Sequence, residues 1–206
     1  MNHGPTLLFG VLFTFASAWL GLVFAPYAQL GNIQPVAPEG STDVYPKPYV
    51  GEVALGREVY IANGCTYCHT QQIRPRGFGV DIERGWGPRR SVPRDYIYDK
   101  PHQLGSMRTG PDLFNIGARQ PDANWHHLHL FDPQLVSPGS IMPPHAFLYE
   151  IRKIVGQPSR DALKVPKEWT VPPPGYEIVP TNDARALVAY LKALDHTTPL
   201  EEAGDE

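Results

Sequence analysis

Cysteine is nearly absent from this chain: Cys65 and Cys68 are the only two in 206 residues. That leaves no pair for a structural disulfide and no second Cys pair to complete a four-ligand zinc site. Charge is absent from residues 1–38, which hold no Asp, Glu, Lys or Arg. A cationic excess is lacking too. The net charge of −3 gives nucleic-acid binding no electrostatic support. Methionine is scarce, with three residues. Strand-like alternation is sparse, and proline, at 23 residues, is roughly twice its average usage. Extended loops and short helices are therefore expected to dominate over regular sheet. At this length one globular domain is the default.

What is present centres on those two cysteines. Cys65-Thr66-Tyr67-Cys68-His69 has the spacing of a c-type haem attachment site. The thiols add across the haem vinyl groups as thioethers, and His69 is held beside the iron as its proximal ligand. A redox dithiol would need a strand-to-helix βαβ setting, which this Pro/Gly-rich pattern does not offer. One motif means one covalently bound haem c, and one haem suggests single-electron transfer.

Thr6 to Ala25 is a run of twenty residues without a charge. As a helix it is about 30 Å long, the hydrocarbon thickness of a bilayer. Gly10, Ala16 and Gly21 permit close packing on another helix, and Trp19 and Tyr27 are candidate interfacial anchors. A cleaved signal peptide is the rival reading, with Ala16-Ser17-Ala18 as its cleavage site. Its n-region would have no Lys or Arg, and apolar residues continue past that site. A membrane span is the better reading. Both flanks lack Lys and Arg, so orientation follows from chemistry. Thioether attachment of haem takes place outside a bacterial inner membrane, which puts the haem domain in the periplasm and the N-terminus in the cytoplasm.

The organisation expected is an anchor over residues 1–28, a Pro-rich linker over 29–50, a mono-haem domain over 51–198 and an acidic, solvated tail over 199–206. Val53 to Asn63 reads as a helix with Val53, Gly56, Val59 and Tyr60 on one face, ending at Gly64. Asp183 to Leu194 reads as a second helix, capped by Thr181 or Asn182, with an apolar stripe of Leu187, Tyr190, Leu191 and Leu194. A small cytochrome c needs such a pair crossing over the haem edge, and Gly56 would let the backbones approach. The fold class expected is mainly α: one N-terminal transmembrane helix plus a class I-like cytochrome c domain with long Pro/Gly-rich loops.

The sixth ligand of the iron is assigned to Met142, in Ser140-Ile141-Met142-Pro143-Pro144, where the prolines hold the thioether in a fixed loop. Met107 lies just before a Gly-Pro turn with another task. His126, His127, His129 and His145 lie in the right part of the chain for His/His ligation, which would give a lower potential. Thr109-Gly110-Pro111-Asp112-Leu113 is the next constellation. A ligating imidazole needs its other ring N–H held by an acceptor. The turn resembles the Gly-Pro-x-Leu turn of class I cytochromes c, in which the proline carbonyl supplies that acceptor and the leucine packs on the haem. Pro111 and Leu113 match it. Arg119 falls where those proteins place an arginine near a haem propionate. Arg74, Arg76, Arg84, Arg89, Arg90 and Arg94 form a basic stretch opposed locally by Asp81 and Glu83. Haem propionates, an acidic docking face or plain solvent are its possible partners. Trp86 and Trp125 pack on the haem rim or in the core.

With these residues in order, the chain resembles the second, mono-haem subunit (subunit O) of cbb3-type cytochrome c oxidases. The matching segments are Gly64 to His69, Gln72 to Pro75, Tyr98-Asp99 with Pro101, Gly105 to Leu113, His129 to Pro133 and Ser140 to Pro143. The resemblance implies a non-catalytic subunit of an oxygen-reducing, proton-pumping complex. It would pass electrons to haem b of a heme-copper catalytic subunit. Other c-type cytochrome subunits or a soluble cytochrome c would be donors, membrane lipid would be a neighbour, and a calcium ion is possible at a subunit interface. Phe78 to Pro93 and the Pro-rich Val165 to Pro180 depart from the usual subunit. Two alternatives stand beside this one: the cytochrome c subunit of a nitric oxide reductase, and a free-standing membrane-anchored cytochrome c on a flexible linker.

Overall fold

The computed structural model describes residues 3–38, 40, 42–166 and 169–204. A single apolar helix, α1, runs over Gly4–Leu30. It is long and apolar enough to cross a membrane, and none of its most apolar stretch is buried against the rest of the chain, unlike the core helix of a soluble protein. Pro26 bounds the apolar run but does not stop the helix. Proline lacks an N–H and crowds the carbonyl four residues back. The helix widens just before it into a π turn over Leu20–Phe24, and the Ala25 N–H reaches back five residues to the Leu20 carbonyl.

Among the described residues, the regular structure of the rest is mostly helical, with one small sheet. Helix α2 spans Gly51–Ala62, α3 Ile116–Arg119, α4 Ala123–Phe131, α5 Pro133–Val136 and α6 Asn182–Ala193. Gly64 at φ +66° turns the chain out of α2 into the Cys65–Tyr67 turn, a conformation that glycine adopts without a Cβ penalty. The Thr181 hydroxyl caps α6 by accepting from the Ala184 N–H at 3.3 Å.

Helices α2 and α6 cross in backbone contact, as their sequences suggest. A Cβ on Gly56 would lie 1.8 Å from the Ala186 carbonyl oxygen. Gly117 plays the same part between α3 and α6, where a Cβ would lie 2.1 Å from the Lys192 carbonyl oxygen. Tyr60, Leu187, Tyr190 and Leu194 are fully buried around the crossing. The sheet pairs β1 (Tyr149–Lys153) with β2 (Tyr176–Pro180), antiparallel, with Ile151 opposite Ile178. The Pro-rich segment before β2 is therefore not surplus loop. The Leu163 N–H bonds the Ile178 carbonyl at 2.9 Å, and Leu163 and Val165 pack on the core.

Two segments differ from expectation. The linker is docked from Val36 onward. Val36 and Tyr45 exchange backbone hydrogen bonds of 2.8 and 2.7 Å, and Tyr49 stands edge-on to Tyr190 at 5.4 Å. The Tyr45 hydroxyl donates to Asp95 at 2.5 Å and accepts from His196 Nδ1 at 2.8 Å. The stretch after residue 199 is not simply solvated. Leu200 and Ala203 are buried with Val92 in a second small core, and Arg94 pairs with Glu202. The basic stretch is thus largely spent inside the molecule. Arg89 grips Asp95 through Nη2 (2.8 Å) and Nη1 (3.1 Å) and the Thr198 carbonyl through Nε (2.6 Å). Arg90 donates to the Ala203 carbonyl at 3.0 Å.

Candidate haem site

Local chain geometry brings the motif and the Gly-Pro turn together. The turn at residues 110–113 is laced onto residues 68–72. Gly110 N–H donates to the Cys68 carbonyl at 3.0 Å, and Leu113 N–H to the Thr70 carbonyl at 2.8 Å. Asp112, fully buried, accepts from the Thr70 hydroxyl (2.5 Å), the Gln72 N–H (2.8 Å) and the Phe114 N–H (2.8 Å). This lacing sets the Pro111 carbonyl 2.7 Å from His69 Nδ1. A carbonyl only accepts, so Nδ1 carries the proton and Nε2 keeps its lone pair. Burial lowers the His69 pKa, the Pro111 carbonyl opposes that, and His145 adds to the lowering. The net direction keeps the imidazole neutral, the form that binds a metal.

Gly110 is required by contact. A Cβ there would lie 2.2 Å from His69 Cε1, so the turn backbone lies directly against the ring. Cys65 is half-buried and Cys68 exposed. Burial pushes the Cys65 thiol up to about 11, the opposite of the lowered pKa that a redox dithiol needs. Leu113 belongs to the main hydrophobic core, and Cys65 and Met142 pack against that same core. Met142 is half-buried there, with its N–H on the Ser140 hydroxyl at 3.2 Å. Met107 is 53% exposed and outside that cluster.

Arg119 lies against the same turn. Its Nη2 donates to the Asp112 carbonyl, and its Nε is buried with no hydrogen-bond partner among the described residues. A buried donor without an acceptor is costly. A haem carboxylate is the kind of group that would satisfy it, so the residues fit the cofactor that the motif implies.

The cluster that braces this floor is only half-visible in the sequence, where Arg74 and Asp81 stand out but Arg108 does not. Asp81 is fully buried and accepts from Arg74 Nε (3.2 Å), Nη2 (3.0 Å) and backbone N–H (2.8 Å), and from Arg108 Nη1 (2.6 Å) and Nη2 (2.8 Å). Arg108 Nε in turn reaches the Thr70 hydroxyl at 2.8 Å. Burial alone would raise the Asp81 pKa, but the two guanidinium groups outweigh it and hold it at about 2. Trp86 is flanked by Arg84 at 5.1 Å and Arg108 at 5.2 Å. Trp125 stacks on His129 at 4.8 Å.

Residues 32–181 match the family model of the mono-haem subunit of cytochrome c oxidase, FixO. The chain belongs to that family. It is therefore a mono-haem cytochrome c oxidase subunit that works in electron transfer, and the family implies a catalytic oxidase partner. The resemblance to the second subunit of cbb3-type oxidases agrees with this match. No curated protein matches the chain.

Proposed function

We propose that this chain anchors one haem c at the outer face of a bacterial inner membrane and relays single electrons to haem b of a heme-copper catalytic subunit. Cys65 and Cys68 would hold the haem as thioethers, and His69 and Met142 would ligate its iron. The haem supplies a one-electron couple at its iron. The chain's own residues do the positioning. Pro111 fixes the His69 tautomer and ring plane, Leu113 shields the ring face from water, and Arg119 meets a propionate.

The observation that carries the reading is the His69 imidazole, oriented by the Pro111 carbonyl at 2.7 Å, in a chain with a membrane-length helix. The docked linker supports a complex subunit over a free shuttle. From Val36 onward the tether is held on the domain, which leaves little slack between anchor and haem. A short tether raises effective concentration only toward a partner within its reach.

Purification of the tagged chain from its native membranes in mild detergent tests the proposal. Co-purifying high-spin haem and copper, with oxygen consumed on addition of reduced cytochrome c, is the expected result. Non-haem iron with nitric oxide reduction would replace this reading, and a chain that runs alone would favour the shuttle.

A further inference from the structure

Three buried side-chain polar atoms have no hydrogen-bond partner among the described residues: the Tyr60 hydroxyl, Arg119 Nε and His145 Nδ1. Arg119 is accounted for above. Tyr60 sits in the α2–α6 crossing against Tyr190 at 5.4 Å, where Gln71 eases its burial. His145 remains, three residues beyond Met142 on the same loop.

Its main chain is fixed at both ends. Its N–H bonds the Leu130 carbonyl at 2.8 Å, and its carbonyl accepts from the Leu148 N–H at 2.9 Å. Its ring lies within electrostatic range of both His69 and His129. The Pro143 carbonyl favours protonation of the ring, but burial outweighs it and lowers the pKa. The imidazole is therefore neutral and has a lone pair to give. The His145 ring also packs against Phe147 at 5.6 Å, so it is Nδ1 alone that lacks a partner among the described residues, whereas the other histidines of this region are bonded or stacked through their rings. His126 bonds the Gln120 carbonyl at 2.8 Å. His127 meets the Tyr149 hydroxyl at 3.1 Å. His129 is stacked on Trp125.

We propose that His145 is a reserve axial ligand: when the Met142 thioether leaves the iron, the His145 imidazole takes the sixth position. The exchange breaks one Fe–S bond and forms one Fe–N bond. Both ligands are neutral, so it moves no electron and needs no proton. Three residues of chain span at most about 10 Å, so the His145 side chain lies within that reach of Met142 while its main chain stays held. The product is a His/His centre, whose potential lies below that of a Met/His centre. Ligand exchange would thus slow electron arrival while keeping the haem six-coordinate and closed to small ligands.

This inference rests on Met142 as the resident ligand, and the test separates the two. Full-length wild type, Met142→Leu, His145→Phe and the double variant are purified with their complex, and covalent haem retention is checked by haem staining. Wild type and His145→Phe are expected to show the near-infrared Fe–S(Met) band. Met142→Leu is expected to lose that band yet stay low-spin, with a lower potential. The double variant is expected to turn high-spin. A high-spin Met142→Leu, or a double variant that stays low-spin, would overturn the reserve role and leave the Met142 assignment intact. A wild type without the Fe–S band would overturn both.

Discussion

The most consequential contact at the scale of single residues is the turn backbone lying on the His69 ring. A Cβ at Gly110 has no room short of His69 Cε1, so Gly110→Ala is expected to tilt the imidazole and weaken the Pro111 hydrogen bond. Such losses around metal-ligating histidines typically cost 10–100-fold in affinity or activity. The check is the oxidised spectrum, where a rise in high-spin haem and a shifted potential are expected. Asp81 gives a pH dependence. Its pKa is depressed to about 2 in the folded chain, against about 3.9 unfolded. Its stabilising contribution is complete above the unfolded value and is lost as pH falls toward the folded one. Unfolding midpoints measured by circular dichroism should therefore drop between about pH 4 and pH 2. Asp81→Asn should flatten that part of the profile while lowering stability near neutrality.

At the scale of elements, the α2–α6 crossing depends on Gly56. Gly56→Ala forces the helices apart, and overpacking of this kind costs typically about 1–3 kcal/mol or more, to be read from denaturant unfolding. Tyr45→Phe removes the hydroxyl that joins Asp95 to His196. Asp95 keeps Arg89, but leaving buried His196 Nδ1 unsatisfied costs about 1–3 kcal/mol, and limited proteolysis should then cut within the residue 36–49 segment. What the sequence made legible here was local. The haem motif, Gly64 as a helix end, the Thr181 cap and the 3.6-residue stripes of α2 and α6 are read within a dozen residues. The Pro111 carbonyl contact with His69 was expected from the resemblance to the Gly-Pro-x-Leu turn of class I cytochromes c, since Gly-Pro alone signals no more than a turn. The docked linker and C-terminal turn were not, because Arg90 meets Ala203 across 113 positions and no local pattern reports such a pair. The Asp81 cluster was half-visible: its arginines were seen as a basic stretch, but the pairing that neutralises them is set by the fold. The β1–β2 pair was hidden for the same reason, its strands being joined through a long Pro-rich excursion.

At the scale of the whole molecule, the chain separates two tasks. One apolar helix, long enough to cross a membrane, buries none of its most apolar stretch, and the Pro-rich remainder folds on a main core and a second small one. Because the anchor adds nothing to either core, deletion of residues 1–30 should yield a domain with an unchanged haem spectrum that no longer follows the catalytic partner through purification. The central claim is that electrons used for oxygen reduction pass through this haem. Its most direct test is time-resolved absorbance of the fully reduced complex after oxygen is admitted. The haem c bands are expected to oxidise within a single turnover, in step with oxygen consumption. A haem c that stays reduced while oxygen is consumed would contradict the account.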